Sequence, residues 1–149
     1  MSDLGAASVL LGIKINRNRS LGHLQLGQDH YIKSTLVRFN MSQCNLTTTP
    51  ADGIIDSSGT PLNLGGIHLH QELVGSFIYL VTCTRPDIVF AMMRLLCFMA
   101  KQTTTHFSAA KRLLRCLKGS MEKSPQYQKG RLELKGFADA SYAWDQGSG

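Results

Sequence analysis

The chain has 149 residues, 43% of them hydrophobic and 17% charged, and a formal net charge of +6. This is enough for one domain with a usable core, and it excludes wholesale disorder. The longest apolar run, residues 88–100, is interrupted by Arg94 and falls short of the roughly 20 residues a membrane span needs.

Residues 8–16 alternate, with Val9, Leu11, Ile13 and Ile15 on one face, and predict a half-buried strand. Residues 17–22 are a polar turn, and 23–26 return as a second strand through Leu24 and Leu26. Residues 28–39 change to helical spacing, with Ile32, Leu36 and Phe39 in one stripe, Asp29 in the first turn, Arg38 in the last and Asn40 to close. From 41 to 69 the periodicity stops among Thr, Ser, Gly and Pro, which predicts a flexible connector between two loosely docked parts.

A helix apolar nearly all round is predicted over 71–83, ending at the Thr84-Arg85-Pro86-Asp87 corner. The next helix carries Ile88, Met92, Leu95 and Met99 at core spacing. A third runs over 105–118, capped by Thr104 or Thr105, with Phe107, Ala110, Leu113, Leu114 and Leu117 on one side and Lys111, Arg112 and Arg115 on another. Residues 131–137 alternate and predict a terminal strand. The fold class is therefore α+β: a small antiparallel hairpin and a helix (1–40), a connector (41–69), a three-helix subdomain (70–120) and a terminal strand region (130–149).

Charge is not spread evenly. Residues 85–118 hold seven basic side chains against the single acid Asp87, which is the whole excess of the chain. Such a field on helices fits a phosphate-binding surface, and the same residues could equally form a solvated face. Cys44, Cys83, Cys97 and Cys116 have no close metal spacing, and three sit in apolar patterns, which suits reduced thiols in an intracellular, non-secreted setting. His68-x-His70 lacks a third ligand, so no metal is expected there.

Several strings in order resemble the Ty1/copia-type retrotransposon reverse transcriptases. They are Met1-Ser2-Asp3-Leu4-Gly5, Leu10-Leu11-Gly12-Ile13-Lys14-Ile15 and Met41-Ser42-Gln43-Cys44 with Thr49-Pro50. Leu73-Val74-Gly75-Ser76, Thr84-Arg85-Pro86-Asp87-Ile88, Ala109-Ala110-Lys111-Arg112-Leu113-Leu114-Arg115 and Gly136-Phe137-Ala138-Asp139-Ala140 complete the series. The resemblance implies a palm edge whose Leu11, Gly12 and Ile13 lie in a primer-grip-like hairpin, a thumb-like helical part, and the start of a truncated ribonuclease H domain.

It also implies that the polymerase aspartates, which bind Mg²⁺ in the parent enzyme, precede Met1. Asp139 would match the first ribonuclease H aspartate, but Ser141 and Tyr142 depart from the family's Asp-Trp. Two-metal phosphoryl transfer needs converging carboxylates. The expectation is thus a non-catalytic transposon remnant without a cofactor. Its alternatives are a weak nucleic-acid-binding module using Lys111, Arg112, Arg115 and Lys118, or a truncated gene model of an active polyprotein. Neither a membrane partner nor a particular oligomeric state is implied.

Overall fold

The computed structural model describes residues 5–53, 59–130 and 136. Among them the fold is α+β, with four α-helices and one four-stranded antiparallel sheet of order β1-β2-β3-β4. The strands are β1 (Val9–Leu10), β2 (Ile13–Asn18), β3 (His23–Gly27) and β4 (Gln126–Gln128). The helices are α1 (Asp29–Arg38), α2 (Leu64–Cys83), α3 (Val89–Leu96) and α4 (Thr104–Gly119), with a short 3-10 turn, Pro86–Ile88, leading into α3.

The first strand of the sequence reading is two strands. Leu11 and Gly12 both have left-handed backbones, φ +49° and +75°, so they form a two-residue turn of the kind whose twist matches antiparallel strands. Leu10 pairs with Ile13 across it. Val9 and Leu11 therefore do not share a continuous strand face with Ile13 and Ile15. Alternation alone could not reveal this, because a leucine is an unusual occupant of a left-handed position. The turn is anchored on α2, where the Tyr79 hydroxyl donates to the Leu11 carbonyl. Tyr79 also meets Tyr31 of α1 edge to face, centroids 4.7 Å apart.

Helix α1 forms where expected. Asn40, φ +53°, follows its last turn; the Asn40 N–H donates to Val37 O at 3.0 Å and the Met41 N–H to Leu36 O at 2.8 Å. This is the paired closure that satisfies carbonyls a helix end otherwise leaves open. Ile32 and Leu36 enter the same hydrophobic cluster as Leu73, Val74, Phe77 and Leu80 of α2, Leu95 of α3, and Leu113, Leu114 and Leu117 of α4. The part ending at residue 40 thus shares its core with the later helices.

The connector differs from the expected span. Helix α2 starts at Leu64, not near 71, because Asn63 caps it by accepting the Gly66 N–H at 2.8 Å. Two glycines in the first turn obscured that start. Just before it, the Leu62 N–H donates to Gln102 O and the Thr104 N–H to Thr60 O, each at 3.0 Å, around a Pro61–Thr103 bridge. Strand β4, which the sequence reading lacked, pairs with β3 (Leu24 opposite Tyr127). Most of the strand expected at 131–137 lies outside the described residues. No helix among the described residues is long and apolar enough to cross a membrane.

Candidate nucleic-acid interface

The basic residues of α4 lie along one edge because Arg112, Arg115 and Lys118 are spaced three apart. The opposite side of the helix is fixed by Ala110, Leu113, Leu114 and Leu117, all fully buried. Lys111 is exposed, its ammonium 4.5 Å from the Phe107 ring centroid.

The other three cations hold a strap formed by residues 44–52. Lys118 Nζ donates to Cys44 O at 2.8 Å, and Arg115 Nε to Asn45 O at 2.8 Å. One terminal nitrogen of Arg112 donates to Thr49 Oγ1 at 2.9 Å, and the other lies 3.1 Å from the Asp52 carboxylate. The strap runs antiparallel to the helix over nearly two turns. A Thr-Pro run that reads as a flexible linker is in fact bonded to α4, with Thr47 Oγ1 donating to Arg112 O at 3.4 Å and Thr48 O accepting from Cys116 Sγ at 3.7 Å besides the cation contacts. The signal for this was the three-residue spacing of the cations, but nothing in the sequence identified main-chain carbonyls as their acceptors.

Another basic residue of the charged window is buried inside the fold. Arg85 is 1% exposed. Its Nε and one terminal nitrogen donate to the two Asp87 oxygens at 2.8 Å each. That same nitrogen reaches Ser120 Oγ at 2.7 Å, and the other donates to Ser120 O at 2.9 Å. The planar fork of arginine fits this task as lysine would not. The corner between α2 and α3 is thereby clasped to the C-terminal end of α4. The adjacent guanidinium holds the Asp87 carboxyl below the usual carboxylate range.

His68 and His70 do not act together: His68 is exposed and His70 is fully buried. His106, also buried, accepts the Thr103 N–H on Nδ1 at 3.0 Å and so caps α4 from its third position. Burial, and then the neighbouring His106, lower the His70 pKa from 6.5. The unfolded chain consequently takes up a proton at His70 before the native chain does. Stability should be intact above about pH 7, decline as pH falls through 6.5, and level off below the native pKa. Urea midpoints measured from pH 8 to 5 will show this decline, and His70→Gln will flatten it.

Leu11, Gly12 and Ile13 sit in and beside the hairpin turn, with Leu11 81% exposed. They belong to the sheet and are held by Tyr79 of α2, whereas Arg112, Arg115 and Lys118 are engaged by the strap. Asp3 and Asp139 lie outside the described residues. Among those described, no group of three or more His, Cys, Asp or Glu is placed to hold a metal ion.

Curated relatives match most of the chain. The Retrovirus-related Pol polyprotein from transposon TNT 1-94 of Nicotiana tabacum is 34% identical over 153 aligned residues, 97% of this chain. That from transposon RE1 of Arabidopsis thaliana is 38% identical over 127, 83% of this chain. The chain is homologous to part of the copia-type Pol polyprotein. It spans 11% and 8% of the length of those two relatives. An uncharacterised mitochondrial protein of Arabidopsis thaliana is 31% identical over 144 residues, with 59% of its own length covered. No protein-family model matches, and no solved structure matches. The alignment with transposon Pol polyproteins accords with the resemblance carried by the Thr84–Ile88 corner and the α4 string.

Proposed function

We propose that this segment of a copia-type Pol polyprotein acts as a non-catalytic grip on nucleic-acid phosphates. The observation that carries the proposal is the α4 edge, where Arg112, Arg115 and Lys118 are aligned at three-residue steps with Lys111 beside them. Contacts of this kind hold a backbone in register without reading bases. The Pol names of the relatives make a nucleic acid the fitting polyanion. The hairpin at Leu11, Gly12 and Ile13 is a second, primer-grip-like contact in this reading.

The non-catalytic half of this reading rests on the sequence, where Ser141 and Tyr142 depart from the family's Asp-Trp. Phosphoryl transfer by two metal ions requires carboxylates that converge on both. Incubated with a primer–template and Mg²⁺ or Mn²⁺, the chain should extend no primer and cut no RNA–DNA hybrid. It should bind the same duplex weakly and with little sequence preference, with Kd on the order of 10⁻⁴ to 10⁻⁶ M at physiological salt. Metal-dependent turnover that disappears in Asp139→Asn would overturn the non-catalytic assignment.

A further inference from the structure

We infer that the strap over α4 is a displaceable cover, so that a phosphate backbone must lift residues 44–53 to reach the cations beneath it. This rests on the phosphate-grip reading and specifies how that grip is regulated. Four observations support it.

First, the strap occupies the donors a phosphate would use. Lys118 and Arg115 are engaged by the Cys44 and Asn45 carbonyls, and Arg112 by Thr49 and Asp52. Most of these are neutral acceptors. Hydrogen bonds between a cation and an anionic oxygen are stronger than those to a neutral one, so phosphate can compete. The one anionic partner, Asp52, has a side chain 75% exposed, where an ion pair contributes little.

Second, Arg112 Nε is buried and has no acceptor under the strap. A buried donor left unpaired is costly, and a phosphate oxygen arriving at this guanidinium would supply what the strap does not.

Third, the strap is incompletely packed against the helices at its later end. A cleft of about 310 Å³ lies between Pro50, Ala51 and Asp52 on one side and Leu95, Arg112 and Leu113 on the other. Cys44 and Ala51 rest on the edge of the hydrophobic cluster, and both are only partly buried.

Fourth, the ends are anchored to the body of the fold, while the middle is held to α4 through a few hydrogen bonds, from Thr47 Oγ1 to Arg112 O at 3.4 Å and from Cys116 Sγ to Thr48 O at 3.7 Å among them. Met41 is buried at the start, and residues 60–62 are bonded to the α3–α4 loop beyond the other end. Gly53, φ +68° with open space around it, is suited to bending.

The apparent affinity for a duplex is then the intrinsic affinity reduced by the fraction of molecules with the strap lifted. A double variant, Thr49→Val with Asp52→Asn, weakens the strap without removing a cation. It should bind a short RNA–DNA hybrid about fivefold more tightly by fluorescence anisotropy at low salt. Glu122→Gln makes the same change in net charge away from the strap and should gain less than about twofold.

In the full-length chain, amide exchange over residues 44–53 should accelerate when the hybrid is bound, while exchange in α2 stays slow. If the hybrid binds while 44–53 remains as protected as in the free chain, the strap inference fails and the grip reading stands. If neither the parent nor the double variant binds at low salt, both fail.

Discussion

Replacing Arg85 by alanine should destabilise the protein by about 2–3 kcal/mol, since it deletes a fully buried side chain together with the hydrogen bonds that side chain donates. The loss has three parts. The Ser120 carbonyl and hydroxyl lose their donors, Asp87 loses both of its bonds, and a fully buried side chain leaves a void between the α2–α3 corner and the end of α4. Arg85→Lys keeps the charge but not the fork, and should recover only part of the loss. Urea denaturation at pH 7 measures both. Since Asp87 is held below its ordinary pKa, its share of the clasp is present above about pH 4 and lost as pH falls through the native value. That window lies below the decline expected from His70, so the two can be separated in one pH series. An Arg85→Ala midpoint equal to the parent's would show that the corner is not a fastening point.

Phe77→Ala should cost about 3–5 kcal/mol. Phe77 is fully buried at the centre of α2, in the cluster shared with Ile32 of α1 and Leu113, Leu114 and Leu117 of α4. Leu11 offers the opposite case. It is apolar, but it is exposed and held in a left-handed backbone. Leu11→Asn should leave stability unchanged or raise it by up to about 1 kcal/mol, since asparagine tolerates that conformation better. Thermal or urea unfolding of the two variants side by side distinguishes a core that spans α1 to α4 from two loosely joined parts, in which Phe77→Ala would leave α1 folded.

Helix spacing was legible because each helix buries a stripe. The periodicity at Ile32, Leu36 and at Leu113, Leu114, Leu117 placed α1 and α4 within about a turn of their observed positions, and those residues are buried. What failed were features governed by local backbone chemistry or distant partners. The turn at Leu11–Gly12 was hidden inside an alternating string. The start of α2 was hidden by Gly65 and Gly66, although the capping residue Asn63 is visible in the sequence.

The α4 cations were legible as an aligned, charged edge. Their present partners were not, because a carbonyl acceptor such as Asn45 O carries no side-chain signature. For the same reason Arg85, read as part of a positive surface, proved to be an internal fastening whose identity depends on Ser120, 35 residues away.

The most direct test of the phosphate grip is the salt dependence of duplex binding by the parent and by Lys111→Gln/Arg115→Gln/Lys118→Gln. Glutamine keeps a donor for the strap carbonyls while removing three charges, and unchanged unfolding midpoints will confirm that α4 is intact. Every phosphate that the variant no longer neutralises takes about 0.9 off the slope of log K against log salt on a B-form duplex. The grip predicts a line flatter by roughly 2 to 3 and weaker binding at low salt. A variant whose line superimposes on the parent's, in slope and in height, would contradict the assignment of this edge to phosphate binding.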